Sequence, residues 1–353
     1  MIMAAGVGSR LMPLTMDTPK PMIPVANLPL MENTINLLKI HEYSQLICNV
    51  HHHADIISQY FGDGGAFGVE MQYSQEEKLL GTAGGVKNCQ YFLDETFVVI
   101  SGDALTDIDL GFLLQEHKAR GALATIALKD VEEVESFGVV VTDENGRILR
   151  FQEKPRRTEA LSHQANTGIY LFEPEIFQYI PARKFYDFGQ QVFPQLVQMG
   201  APFYGIGIRD YWCDVGNLNT YRQANADILT GQVRAATRGR LEATQDGGRV
   251  LIGDGVEIGS HVRLSGCVVL GDRCRIEGNS IISNSVIWED CTVGQGSVIN
   301  GAVIGAACQV GTDSLIRTGA TLASGCRLEP GSDISPGAKI HPLPGGGVET
   351  EQA

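Results

Sequence analysis

From Ile252 to Ile340 the chain repeats with a period of six. Apolar residues fall at Ile252, Ile258, Leu264, Leu270, Ile276 and Ile282. They slip by one residue to Ile287, Val293 and Ile299, then slip again to Ile304, Val310, Ile316, Leu322, Leu328, Ile334 and Ile340. Four residues after each apolar position, up to Ile334, stands a small side chain, as at Val268, Cys274, Ser280 and Val286. Hexads of this kind wind into a parallel β-helix. Cys274, Cys291, Cys308 and Cys326 recur at 17, 17 and 18 residues, about one coil, so they should stack on one face. Ser280, Ser297, Ser314 and Ser332 form a second ladder. Rungs ~4.8 Å apart let thiols touch, but parallel side chains point the same way and disfavour a disulfide. We read the ladders as small residues filling a narrow prism. With a single histidine, His261, and no long insertion, this region is expected to be a scaffold. Its open ends call for covering, which favours a homo-oligomer.

The 353 residues leave room for a second domain ahead of the repeat. There, strand-like segments (45–50, 96–100, 122–128, 138–141, 168–172) alternate with helix-like ones (30–40, 110–120, 217–229). Such alternation predicts a layered α/β domain with a mostly parallel sheet. Ligands on such sheets sit at the carboxyl ends of strands. We divide the chain into an α/β domain at 1–229, a polar linker at 230–249, the β-helix at 250–341 and a disordered tail at 342–353.

The net charge of −14 argues against binding nucleic acid or an anionic membrane. No apolar run reaches the ~20 residues that span a bilayer, and no signal peptide is visible. Eight cysteines without a C-x-x-C pair read as free thiols of a reducing cytoplasm.

The first strand-like run, Met1-Ile2-Met3, leads into Ala4-Ala5-Gly6-Val7-Gly8-Ser9-Arg10-Leu11-Met12-Pro13-Leu14-Thr15, followed by Pro19-Lys20-Pro21-Met22. A glycine turn after a strand presents backbone N–H groups to phosphate. Arg10 and Lys20 add two cations. No Gly-Lys-Ser/Thr follows, so this is not a Walker A loop, and Leu11 replaces the third glycine of a dinucleotide fingerprint. The run resembles the signature of sugar-1-phosphate nucleotidyltransferases, the nucleotide-sugar pyrophosphorylases. A few residues usually precede the first strand in that family, so this strand is expected to be short.

The resemblance implies a Rossmann-like mixed-sheet nucleotidyltransferase domain followed by a left-handed parallel β-helix. It also implies a nucleoside triphosphate and a hexose 1-phosphate as substrates. Asp103, in Val98-Val99-Ile100-Ser101-Gly102-Asp103, and Asp214, in Tyr211-Trp212-Cys213-Asp214, match the aspartates that hold Mg²⁺. The nearby Asp107 and Asp109 read as caps. Nucleotide contacts are implied for Ala5, Gly6, Gly8, Ser9, Arg10, Lys20, Gly81 and Thr82. Phe151-Gln152-Glu153-Lys154-Pro155 matches the sugar-phosphate segment: Lys154 would hold phosphate and Glu153 would accept from sugar hydroxyls. Asn166, Thr167 and Gly138 would also reach the sugar. Catalytic roles fall to Arg10, Lys20, Asp103, Lys154 and Asp214.

In the loop Gln75-Glu76-Glu77-Lys78-Leu79-Leu80-Gly81-Thr82, Glu76 stands where thymidylyl and uridylyl relatives tend to place glutamine. A carboxylate only accepts, which fits the N1–H and N2–H₂ donors of guanine. Together with Leu80-Gly81-Thr82-Ala83-Gly84, this likens the chain most to mannose-1-phosphate guanylyltransferase. Gln75 lies one residue away and would reverse the argument, toward a dTTP-, UTP- or ATP-dependent enzyme. A non-catalytic regulatory subunit is a further alternative. His51-His52-His53 reads as a loop entry, because consecutive strand residues point to alternate sides. Trp212 reads as packing.

Overall fold

The computed structural model describes residues 1–244, 246–344 and 347–351. The chain forms two compact units, Met1–Gly6 with Thr34–Trp212, and Val7–Asn33 with Cys213–Ala353. The glycine-rich segment from Val7 onward, counted with the α/β domain from sequence, thus groups with the C-terminal part of the chain.

The first unit is built on a nine-stranded mixed sheet. Its short first strand, Ile2–Met3, runs parallel between Gln45–Val50 and Phe97–Ser101, and Glu70–Gln75 extends the parallel set. Gln164–Phe172 then pairs antiparallel with Phe97–Ser101, with Ala124–Asp130 and with Gly138–Thr142, which in turn pairs with Ile148–Glu153. Phe203–Gly207 returns to a parallel pairing on Ala124–Asp130. The sheet is therefore less parallel than the alternating pattern implied. Strands 70–75, 148–153 and 203–207 escaped the sequence reading: the first two carry several polar residues, and the third is interrupted by two glycines. The parallel strands end on one edge, and the segments that follow them carry Ala4, His51, Glu76 and Asp103. Tyr170, Phe172, Phe188, Phe193 and Phe203 fill the core with rings 5.1–5.5 Å apart. Such stacking adds about 0.5–1.5 kcal/mol per pair beyond area burial.

The second unit contains the β-helix. Its parallel strands stack into three sheets, one per face of a triangular coil. Register follows the repeat: Cys274 precedes Arg275–Ile276, which pairs with Thr292–Val293 after Cys291. Inward residues such as Ile276, Ile282, Val293, Ile299 and Ile316 are completely or almost completely buried, each worth about 1.5–3 kcal/mol. The corners turn through left-handed backbone at Gly266, Asn279, Asn284, Asp290, Gly296 and Gly301, which glycine, asparagine and aspartate tolerate best. All eight cysteines are free. Each coil thiol donates to a carbonyl of the next coil: Cys274 to Trp288 at 2.9 Å, Cys291 to Gly305 at 3.0 Å and Cys308 to Ala323 at 3.1 Å. Ser280 and Ser297 do the same to Gly294 and Gly311.

Two sequence expectations need correction. The linker contains a strand, Arg240–Ala243, paired antiparallel with Arg249–Ile252. The tail contains another, Val348–Glu351, paired antiparallel with Lys339–Pro342. Of the tail called disordered, Gly345, Gly346, Gln352 and Ala353 lie outside the described residues, as does Gln245 of the linker. The two hairpins cap both ends of one face, so the chain itself covers edges that the repeat alone leaves open. On the other two faces the terminal strands, Glu257–Ile258, Arg327–Leu328, Arg263–Ser265 and Asp333–Ile334, have a neighbour on one side only among the described residues. Among the described residues no helix is long and apolar enough to cross a membrane.

Candidate active site

In the second unit, the glycine-rich turn is a 3₁₀ segment, Ser9–Leu11, entered through Gly8 at φ 70°. A Cβ on Gly8 would sit 2.8 Å from the Cβ of Lys20, so no other residue fits without displacing Lys20. Thr15 Oγ1 donates to the Gly8 carbonyl at 3.0 Å and closes the turn. Among the described residues the N–H groups of Gly8, Ser9 and Arg10 donate to no protein acceptor, as a phosphate nest requires. Pro19 opens a second 3₁₀ turn, Lys20–Met22. The Lys20 side chain is 7% exposed, and its ammonium lies 3.2 Å from Asp214 Oδ1. Arg10, 62% exposed, approaches the other oxygen, Oδ2, at 3.5 Å. Asp214 thus gathers the two cations that the sequence singled out. A Cβ on Gly216 would lie 2.8 Å from Asp214 Oδ2, so this glycine makes room for the carboxylate.

The segment after Lys20 is held by the Leu218–Leu229 helix, which Asn217 and Thr220 start with a capping box. Asn225 Oδ1 accepts from the Ala26 N–H at 2.9 Å. Buried Tyr221 donates to the Pro24 carbonyl and accepts from Trp288 Nε1 at 2.8 Å. Asn27 Nδ2 donates to the Leu270 carbonyl at 2.9 Å, and Met16 packs against the coil core. These contacts fasten the lysine-bearing segment to the β-helix.

In the first unit, Ala5 is buried and Gly6 exposed just beyond the Ile2–Met3 strand. Asp103 follows the Phe97–Ser101 strand and accepts from Ser101 Oγ. Gly102 packs its backbone on Met3, donating at 2.9 Å. Glu76 does not face outward. It is 4% exposed; Oε1 accepts from Asn49 Nδ2 and Oε2 from the Leu80 N–H, both at 2.8 Å. Asn49 Oδ1 in turn accepts from the Ala4 N–H at 3.0 Å. A carboxylate so held anchors the loop, with one bond at each oxygen. Gln75 is exposed at the strand end. His51 Nδ1 donates to the Glu76 carbonyl at 2.7 Å and braces the same loop. Gly81 holds φ 74° against the Tyr186 carbonyl, and Thr82 Oγ1 donates to Asp187 Oδ2 at 2.8 Å.

Residues 151–155, likened from sequence to a sugar-phosphate segment, are also in this unit. Lys154 has left-handed backbone at φ 44°, and its side chain is 62% exposed, 3.9 Å from Glu153 Oε1. Burial pushes the Glu153 carboxyl above the usual range, against the pull of Lys154 and with help from Asp187. Cβ atoms on Gly138 and Gly189 would lie 3.0 and 2.5 Å from Glu153 Oε2, so both glycines leave space for this carboxyl. Asn166 Oδ1 accepts from Gly168 N–H and its Nδ2 donates to Tyr170 Oη, each at 3.0 Å. Thr167 is buried and spends its hydroxyl on the Ala127 carbonyl at 2.7 Å, so its side chain is turned away from solvent. Trp212 donates to the Thr167 carbonyl and packs edge-on to Phe137. Asp109 caps its helix, whereas Asp107 accepts from the Tyr211 N–H. Sequence reasoning missed Asn49, Asp187 and Gly189. The one signal for the last two was the motif Asp187-Phe188-Gly189-Gln190-Gln191, which forms a π-helical turn of a kind common at functional sites.

The carboxylates of Asp103 and Asp214 are hard oxygen donors. No group of three or more histidine, cysteine or acidic residues that could hold a metal occurs among the described residues. Carboxylate oxygens of this kind suit a hard cation such as Mg²⁺, which completes its shell with water and phosphate oxygens.

Residues 1–231 match the family model for nucleotidyl transferases. The chain belongs to the sugar-1-phosphate nucleotidyltransferases. Residues 239–334 match the left-handed β-helix domain of the eIF2B epsilon subunit. A UTP–glucose-1-phosphate uridylyltransferase of Synechocystis sp. is 43% identical over 319 residues, covering 82% of each chain. A mannose-1-phosphate guanylyltransferase of Mycobacterium tuberculosis is 33% identical over 296 residues, covering 80% of this chain and 82% of its own. A crystal structure from Bacillus anthracis, of a protein named for glucose-1-phosphate thymidylyl transfer, aligns with a TM-score of 0.60 at 27% identity. It covers 67% of this chain and 96% of its own. This nucleotidyltransferase is therefore similar to proteins whose names differ in nucleobase and sugar.

Proposed function

We propose that this nucleotidyltransferase condenses UTP with glucose 1-phosphate, releasing pyrophosphate. The observation that carries the choice is Glu76. It is buried and each of its two oxygens accepts inside the protein, from Asn49 and Leu80, which favours an anchoring role over a guanine reader. The uridylyltransferase relative at 43% identity supports the same reading. The exposed Gln75 offers an amide that both donates and accepts, as the N3–H and flanking carbonyls of uracil require. The alternative, GTP with mannose 1-phosphate, is favoured by the guanylyltransferase relative at 33% identity.

The phosphate of a hexose 1-phosphate has its second pKa near ~6 and is already a dianionic nucleophile at neutral pH. It attacks the α-phosphorus in line, forms the new P–O bond and expels pyrophosphate, so no general base is needed. Catalysis is then positioning and charge neutralisation. We assign the triphosphate to the backbone of the glycine-rich turn with Arg10 and Lys20, and the incoming phosphate to Lys154. Glu153 and Asn166 orient sugar hydroxyls. Asp103 and Asp214 are the carboxylates we assign to Mg²⁺, whose charge would offset that of the phosphates. The presence of all five catalytic residues supports an enzyme over a regulatory subunit. The eight free thiols support a cytoplasmic setting, and the singly paired terminal strands support association of copies.

Pyrophosphate release with Mg²⁺ across UTP, GTP, dTTP and ATP, each with glucose or mannose 1-phosphate, tests the reading. UTP with glucose 1-phosphate should turn over fastest. A clear preference for GTP with mannose 1-phosphate would overturn it.

A further inference from the structure

A cavity of about 500 Å³ opens between the Leu218–Leu229 helix and the coils of the β-helix, all within the second unit. That volume is in the range of small-molecule sites. Among the described residues Arg222 is the one charged residue in its lining, in a chain with 41 acidic residues and 27 basic ones. The guanidinium donates to Asn219 Oδ1 at 2.6 Å and to the Gly301 carbonyl. No carboxylate among the described residues pairs with it. Burial holds its pKa below the ordinary arginine value, with no acid offsetting the loss of water.

Three of the five amides in the described lining, those of Asn219, Asn284 and Asn300, are spent in one sense; Asn225 is spent in both, and Gln223 donates to Asp227 Oδ1 at 2.7 Å and keeps its acceptor. Asn219 Oδ1 is taken by Arg222. Asn284 Oδ1 accepts from the Cys267 N–H at 3.2 Å, and Asn300 Oδ1 accepts from Ser283 Oγ at 2.9 Å. In each case the acceptor is consumed by the protein, and the NH₂ donates to no described residue. Among the described residues the wall thus offers three amide donors beside one permanent cation and no acid. A partly desolvated cation without a counter-charge is costly, and an anion rich in acceptors relieves it.

We propose that this cavity binds a phosphate dianion, free or as the monoester of a small metabolite. The site goes beyond the transfer reaction, and among the described residues its lining contains none from the segment that carries Lys20. The apolar part of the lining, Val269 and Leu229, would take the carbon skeleton of an ester.

Calorimetric titration with inorganic phosphate, and separately with glycerol 1-phosphate, tests the proposal on four full-length proteins: wild type, K20A, R222Q and the double variant N284D/N300D. The double variant keeps both acceptor oxygens, so the bonds from Cys267 and Ser283 survive while two negative charges enter the lining. K20A should retain the binding event. R222Q and N284D/N300D should weaken it at least about tenfold, the expected loss for one charge-assisted contact. Tighter binding of glycerol 1-phosphate than of phosphate would identify an ester as the ligand; equal binding would identify the free ion. If R222Q fails to fold for want of its bond to Gly301, the double variant decides. Titrations of N284D/N300D superimposable on wild type, or loss of all phosphate binding in K20A, would overturn the proposal.

Discussion

The Lys20 ammonium lies 3.2 Å from Asp214 Oδ1, at the end of a side chain that is 7% exposed. A buried lysine held by an aspartate cannot swing away from the turn it packs under. K20M should therefore lower kcat/KM for pyrophosphate release by ~10²–10³, the usual loss for one preorganised charge, while circular dichroism stays that of the wild type. Loss below tenfold would remove Lys20 from the phosphate chemistry.

The two glycines of the turn should respond differently. Gly8 holds φ 70° with its missing Cβ 2.8 Å from Lys20 Cβ, whereas a Cβ on Gly6 would meet nothing within 4 Å. G8A should lose about 1–2 kcal/mol to backbone strain, and more to the clash, and should lower activity by displacing Lys20. G6A should unfold at the same denaturant midpoint as wild type. Equal midpoints for the two variants would contradict the geometry.

Glu76 anchors a loop through Asn49 and Leu80. E76Q turns an NH₂ toward one of two donors, leaving a buried pair of donors face to face. Stability should fall by about 1–3 kcal/mol, and the ratio of UTP to GTP turnover should hold. A reversal of that ratio would restore Glu76 as the nucleobase reader.

Fold and chemistry were legible in the sequence to different depths. The hexad announces itself because each coil contacts only the next, so a one-dimensional period maps directly onto packing. The glycine-rich turn with Arg10 and Lys20 was legible because its glycines and cations stand close together in sequence. The capping strands were not: all four residues of Arg240–Ala243 are exposed, so no apolar period marks them. Nor was the burial of Glu76 or Thr167, since spacing places a side chain on a strand end without saying which donors or acceptors wait there. The grouping of Val7–Asn33 with the coils rests on long-range contacts such as Asn27 with Leu270, which no local motif encodes.

His117 is fully buried, with Nε2 donating to Glu173 Oε1 at 3.1 Å and Nδ1 accepting from Thr125 Oγ1 at 2.8 Å. Burial holds its pKa below the ordinary 6.5, outweighing the opposing pull of Glu173. Below 6.5 the unfolded chain then binds the extra proton. Stability from this group is complete above that pH and declines as pH falls through it. Unfolding midpoints in guanidinium between pH 5 and 8 should show this decline, and H117Q should flatten it. A wild-type stability that rises on acidification across this range would contradict the assignment.

Of the eight cysteines, Cys213 and Cys267 are partly exposed and the other six are buried. A thiol reagent should modify two groups in the native protein and all eight in denaturant. Rapid native modification of the coil cysteines would mean that the β-helix opens far more readily than its packed core allows.

The central claim, transfer of a uridylyl group to glucose 1-phosphate, is tested most directly by competition. One reaction would hold equal UTP, GTP, glucose 1-phosphate and mannose 1-phosphate with Mg²⁺, and the nucleotide sugars formed would be separated and counted. UDP-glucose in large excess is the predicted result; GDP-mannose in excess would contradict the account.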